Sequence, residues 1–367
     1  MPSSNRPSFI PRSSNTIPRR YANDLSLIHT VNPLLPSDIK DALAGAVKPE
    51  TRKRHERAVN EYLHWADSRG LHMSDIMPSS ETTLAEYAAS YRGKLAGGTV
   101  RAKMGALKQW HLTRGFQWNG RELLQKVLTG VERQAPLSSH RPERPGVSES
   151  MMKHLHAALS KSDRGEDLAT LAGGKLGMLG QLRMGEILPT NSDPSLFDCT
   201  KFPRVMDVTE LPSLPDQKYG ALDLSLPSTK TTGNRGDRVH VAIQPGFMNA
   251  TKTTHRHVSM NGLKPEDPLM SYRDQYGTLK VLTKDRLLKI CNDVWVPLGY
   301  PKVTGHCFRI GGTTYLLQCG VDPEVVKRCG RWKSSAFARY WRDLHTIASV
   351  HIDRVHARKH LRYRFSL

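Results

Sequence analysis

No two cysteines of this sequence are spaced as CxxC, and the five present (Cys199, Cys291, Cys307, Cys319 and Cys329) are odd in number and scattered along 367 residues. That excludes a disulfide framework or a zinc knuckle and predicts reduced thiols in an intracellular protein. No apolar run approaches the ~18 residues of a spanning helix, and the start of the chain carries no apolar signal segment, so a soluble protein is expected. Acid is the other shortage: 34 Asp and Glu stand against 54 Lys and Arg, a formal charge of +20 with a pI near 9.9. A soluble chain this basic is suited to a polyanion, of which nucleic acid is the commonest, although charge alone also fits a merely basic soluble protein. The length suggests two domains, each large enough for a core.

Along the chain, residues 1–47 read as a tail. The first 22 are rich in Pro, Ser, Asn and Arg and too poor in apolar residues to offset their ordering entropy, and 25–47 hold enough apolar content for one short helix. Residues 48–134 are helical throughout. Val59, Tyr62, Leu63 and Ala66, then Leu84, Tyr87, Ala88 and Tyr91, repeat at i, i+3, i+4, i+7. A third helix opens at Gly97-Gly98-Thr99, with Thr99 as the expected N-cap, and displays Arg101, Lys103 and Lys108 as candidate DNA-binding residues. A solvated cationic face accounts for them equally well. The run RKRH at 52–55 is compatible with nuclear import and also with a plain charged helix surface. Residues 135–147 (APLSSHRPERPGV) are a proline-rich linker, and 148–367 form a second domain whose SESM starts a helix.

In the second domain, residues 167–188 read as one glycine-rich helix ending before Pro189. Arg183 and Glu186 lie within it at i, i+3, amid leucine, isoleucine and methionine. A surface ion pair would be worth only a few tenths of a kcal/mol, but charge in so apolar a segment has to be paired or face a ligand. Residues 221–243 alternate on either side of a turn-rich stretch, which predicts a β-hairpin with Lys230 at its mouth. Lys252, in a second TKTT within irregular sequence, is its rival. Residues 282–299 read as a helix.

The densest stretch runs from Gly305 to Arg342. His306 and Arg309, three apart on a helix, share a face, ~5–6 Å apart at Cβ, and can contact one phosphate. HxxR by itself is weak, since His111–Arg114 and His351–Arg354 match it too. Around His306 the context is richer: Gly311-Gly312 permits close packing, Gly320 is an expected C′ residue, and Asp322-Pro323-Glu324 opens a further helix. Tyr340 falls with Phe337, Trp341 and Leu344 on an apolar face, so periodicity alone makes it a core tyrosine.

Arg183-x-x-Glu186, Lys230, His306-x-x-Arg309, Gly330-Arg331-Trp332 and Tyr340, in that order, resemble the tyrosine recombinase/integrase family. The resemblance covers about residues 48–345, and the stretches FRIGGTT and GRWKSSAFARYWR look closest to recombinases of eukaryotic mobile elements of the DIRS and Crypton kinds. Trp332 stands where many members have histidine. Its separation from Tyr340, 340 − 332 = 8, is one shorter than in many bacterial and phage members. The resemblance implies a mainly α fold with a small antiparallel β-sheet: an all-α core-binding domain and a mixed α/β catalytic domain.

It also implies chemistry. Tyr340 would attack a scissile phosphodiester, leaving a 3′-phosphotyrosyl bond and a free 5′-hydroxyl. Arg183 and Arg309 would clamp the non-bridging oxygens, Lys230 would protonate the leaving oxygen, and His306 would assist proton transfer. Glu186 would orient Arg183 or His306, and Trp332 would bind phosphate oxygen and buttress the tyrosine helix. No cofactor or metal is implied, because two permanently charged guanidiniums can take a metal's place. The expected partner is double-stranded DNA, held by a homotetramer. The expected location is the nucleus if the source is eukaryotic and the cytoplasm otherwise. A type IB topoisomerase-like enzyme and a DNA-binding descendant without activity are the alternatives.

Overall fold

The computed structural model describes residues 16–24, 31–32, 34–139, 142–213, 215, 220–333, 337–338, 345, 347–349 and 352–353. The chain divides into two compact units, Met1–Pro142 and Glu143–Leu367, so the division falls inside the proline-rich stretch. Among the described residues no helix is long and apolar enough to cross a membrane.

The first unit is helical: α1 (Ser37–Gly45), α2 (Pro49–Ser68), α3 (Met73–Ile76), α4 (Glu81–Ala89), α5 (Gly97–Thr113) and α6 (Glu122–Arg133). Its core is aromatic. Tyr62, Trp65, Tyr87, Tyr91 and Trp110 are buried, with the Tyr62 and Tyr87 rings 4.9 Å apart edge to face, a packing preferred by ring quadrupoles. The tail expected to be disordered is in part ordered: residues 19–24 form a 3-10 turn in which Tyr21 is buried and its hydroxyl donates to the Leu71 carbonyl at 2.8 Å. One aromatic anchor supplies apolar area that the composition of that segment did not suggest. The expected cap Thr99 lies inside α5, which starts two residues earlier after Ala96.

The second unit is built on α8 (Gly165–Leu179), nearly every residue of which is buried. Around it pack α7 (Glu149–Leu159), capped by Ser148 whose Oγ accepts from the Met151 N–H, α9 (Ala250–Met260), α10 (Lys284–Trp295) and α11 (Gly305–Gln318). A short α12 (Pro323–Cys329) follows, capped by Asp322. The hairpin consists of β2 (Ala221–Leu226) and β3 (Asp237–Ala242), joined antiparallel with Leu222 opposite Val241 and Leu224 opposite Val239. A further strand, β1 (Val208–Leu211), extends the sheet in the order β1-β2-β3. A small second sheet pairs β4 (Ser271–Arg273) with β5 (Leu279–Val281).

Two expectations change here. The glycine-rich helix stops at Leu179 instead of Leu188, so Arg183 and Glu186 lie beyond it on a 3-10 turn over Met184–Glu186. Gln181 adopts a left-handed φ of 47° at the break, a conformation that ends the helical ladder. Lys252, read as irregular, sits in the first turn of α9, where the Asn249 side chain accepts from its N–H at 2.8 Å.

Candidate active site

Close backbone contact seats the site. A Cβ on Gly311 would fall 2.1 Å from the Val147 carbonyl oxygen, and one on Gly312 1.8 Å from that of Met178. Only glycine lets α11 lie this near to the end of α8 and to the segment before α7. The Val147 N–H also donates to the Cys307 carbonyl at 2.9 Å. Docked so, α11 pushes Arg309 beneath the turn that follows α8.

Arg309 is fully buried. Its Nη1 donates to the Gln181 carbonyl at 2.5 Å and its Nη2 to the Gly330 carbonyl, while the Trp332 ring lies over the guanidinium at 3.9 Å. This differs from a clamp open to a phosphate: both fingers hold main-chain carbonyls and an indole covers the face. Arg183 is the accessible guanidinium, with its side chain 26% exposed.

Glu186 gathers the rest. Buried and folded back on its own turn, it accepts from the Arg183 backbone N–H at 3.0 Å and Arg183 Nη1 at 2.9 Å, and from Arg331 Nη2 at 2.7 Å. Burial pushes its carboxyl up, but Arg331 and then Arg183 more than offset this and hold it below the usual carboxylate range,. Arg331, noted in the sequence only as the middle of Gly330-Arg331-Trp332, was given no role of its own there. Its side chain is only 7% exposed, its Nε and Nη1 make no hydrogen bond, and its φ is +59°. Gln181 and Arg331 are the non-glycine residues with positive φ among those described, and both border this cluster. Backbone held in that region costs ~1–3 kcal/mol and gathers at functional sites. One signal was available: the spacing 340 − 331 = 9 is the one that Trp332 misses by a residue.

His306 is half-buried on the first turn of α11. Burial lowers its pKa, and the positive charges of Arg309, Arg144, Arg183 and Lys230 lower it further, so it is neutral at pH 7. Lys230 is exposed in the turn joining β2 to β3, where Thr229 and Gly233 exchange backbone hydrogen bonds. Arg144, exposed just ahead of α7, is a second cation that the sequence reading did not single out. Lys252 does not enter this set. Tyr340 lies outside the described residues, as does the His351–Arg354 pair. Nearby, Phe337 is buried in a small cluster with Leu317, Val326 and Ile347 and packs against Trp332. Tyr315 is partly buried on α11, its hydroxyl pushed up to about 12 by burial and by Cys319.

The candidate DNA-binding residues on α5 divide. Lys103, a candidate DNA-binding residue, is an ion-pair partner of Glu61 and stands 5.4 Å from the centre of the Tyr91 ring; Glu61, buried among tyrosines, needs a countercharge. Arg101 reaches Glu132 at 3.0 Å on α6. Lys108 is exposed. The other HxxR, His111–Arg114, is structural: His111 is fully buried, accepts from the Ser79 N–H at 3.0 Å and donates to the Leu107 carbonyl at 2.8 Å.

Among solved structures, the chain is similar to the XerH site-specific recombinase bound to palindromic difH substrate in a post-cleavage complex, with TM-score 0.51, 17% identity, and coverage of 79% of this chain and 75% of that one. The fold is that of the tyrosine recombinases. The Tn1549 transposon integrase in complex with transposon right-end DNA matches with TM-score 0.50, 13% identity, and coverage of 90% of this chain and 98% of that one. The same integrase in complex with circular intermediate DNA matches with TM-score 0.50 and 15% identity over 83% and 93% of the two chains. No family model and no curated protein matches the sequence. Within the tyrosine-recombinase fold, Glu186 joins cations from the turn after α8 and the segment after α12, and α11 brings Arg309 beneath that turn.

Proposed function

We propose that this protein is a site-specific DNA recombinase that cleaves and rejoins DNA through a 3′-phosphotyrosyl intermediate, in the integration or excision of a mobile element. The observation that carries this is the charge imbalance at the site. Arg183 and Arg331 share the buried carboxylate of Glu186, Arg309 lies beneath the adjoining turn, and the charges of Arg144 and Lys230 add to the burial that keeps His306 neutral. A phosphodiester supplies the missing negative charge, and its transition state supplies more.

In this reading the Tyr340 oxygen attacks the phosphorus, the bond to the 5′-oxygen breaks, and one phosphoester replaces another without an energy donor. His306 takes the tyrosine proton because its imidazole is neutral, and Lys230 returns a proton to the leaving oxygen. Arg183 contacts the non-bridging oxygens from the open side. Arg309 reaches them only if Trp332 slides off its face, so DNA binding is coupled to a shift of the segment after α12. Glu186 holds Arg183 and Arg331 in place. The substrate is double-stranded DNA, and strand exchange takes place in a homotetramer, in the nucleus of a eukaryotic source.

A duplex nicked beside the attack site traps the covalent adduct, because the cleaved fragment diffuses away. The wild-type chain is expected to form it and Tyr340→Phe to form none. Wild type without adduct, or an equal adduct from the variant, overturns the reading. Exchange between two duplexes, as opposed to relaxation of one supercoiled plasmid, separates a recombinase from a topoisomerase.

A further inference from the structure

Away from this cluster, the second unit buries a lysine with no acid beside it. Lys175 on α8 is 1% exposed. Its Nζ donates to Thr253 Oγ1 on α9 at 2.6 Å and lies 3.3 Å from His156 Nδ1 on α7. Among the described residues no carboxylate comes within 4.0 Å of it, and none lines the cavity of about 400 Å³ onto which it opens. The other cations of that lining are Lys161, Lys252 and Arg256, all exposed at its rim. Asn249, Lys252 and Thr253, at the start of α9, form one wall, where the positive end of the helix dipole adds to the field of the cations.

A buried ammonium without a counter-ion is costly. Burial pushes the Lys175 pKa down to about 8, and His156 is pushed down by burial, by Lys175 and by Arg256. Burial therefore disfavours the charged form of both groups. An anion in the cavity would restore it, and four cationic side chains around one space suit an anion of more than one charge.

We propose that this cavity is a phosphate-binding site, separate from the cluster around Glu186, taking the phosphoryl group of a free phosphate compound or of the DNA backbone. Lys175 is its buried anchor, and Lys252 and Arg256 are its rim. The proposal is independent of the strand-cleavage reading and explains a lysine that cleavage does not use.

Pyrophosphate is the probe, titrated calorimetrically into the full chain carrying Arg183→Ala, which weakens the other phosphate-attracting cluster. At pH 8.5, binding at one saturable site is expected to draw up to about one proton onto Lys175 as it recharges, read as the difference from the Lys175→Met chain so that the proton pyrophosphate itself releases cancels. Lys175→Met should also weaken binding at least ~tenfold. Lys252→Ala with Arg256→Ala, two exposed changes that leave the core intact, should weaken it by a similar factor and decides the matter if the methionine variant does not fold. Added duplex displaces the pyrophosphate if the DNA backbone is the natural source and leaves it bound if a free phosphate is. No binding at millimolar pyrophosphate, or unchanged affinity in the rim variant, overturns the proposal.

Discussion

In the first unit the buried Glu61 is paired with one cation, the partly buried Lys103, and the pair is closed by the Tyr91 hydroxyl, which donates to Glu61 at 2.7 Å. Glu186 in the second unit also buries its carboxylate, but two guanidiniums share it and a third lies beneath the adjoining turn. The first arrangement is balanced and has no use for a ligand. The second is short of negative charge and lined by strained backbone. The two buried carboxylates therefore differ: Glu61 is met by one cation and Glu186 by two.

Substitutions can break this contrast. The largest effect is expected at Arg183, the accessible member of the unbalanced cluster. Arg183→Ala should slow adduct formation by ~10²–10³, the usual cost of one transition-state donor, while the unfolding free energy changes by no more than about 1 kcal/mol. An equal loss of stability would make Arg183 another structural pair. Lys103→Met should do the reverse. Leaving Glu61 buried without its partner costs about 3 kcal/mol, seen in denaturant titrations, and the rate of adduct formation by the folded chain should not change.

Protons sharpen the contrast next. His257, fully buried, is pushed down to about 4 by burial, which outweighs the opposing hydrogen bond from its Nε2 to the Leu269 carbonyl at 2.9 Å, while its Nδ1 accepts from Asn261. The unfolded chain binds this proton near pH 6.5 and the folded chain does not. The contribution is therefore complete above pH 6.5 and is lost as pH falls toward 4, up to about 3 kcal/mol. Unfolding measured at pH 7 and 4.5 should show it, and His257→Gln should flatten the difference. Smallest is the effect at Lys108. Lys108→Ala should lower the salt slope of duplex binding by about one, whereas Arg101→Ala, whose side chain is already engaged by Glu132, should leave it in place.

Much of this was readable in the sequence and some was not, for physical reasons. The helices of the first unit follow from i, i+3, i+4, i+7 apolar spacing, and the hairpin from alternation on either side of a turn. The role of Gly311-Gly312 as a close-packing step was legible because no other residue fits there. The end of α8 was not: Gly180 and Gln181 break the helix inside an apolar run that keeps helical period, so Arg183 and Glu186 looked like helix neighbours when they are a folded-back turn. Helix α9 was hidden because its sequence, ATKTTHRHVSM, has little apolar content, although Asn249 was a cap signal. Arg331 was masked by Trp332 beside it. Lys103 could not be told from Lys108, because the tertiary neighbour that neutralises it, Glu61, comes from another helix.

The central claim is that the cluster around Glu186 exists to hold the charge of a phosphate. It is tested most directly by replacing one non-bridging oxygen of the scissile phosphate with a methyl group, which removes that charge. The rate of adduct formation is then compared between wild type and Arg183→Ala on both substrates. If the claim is right, the ~10²–10³ penalty of the variant on the natural phosphate shrinks to within about tenfold on the methylphosphonate, because the guanidinium has no charge left to serve. An undiminished penalty on the neutral substrate would contradict it.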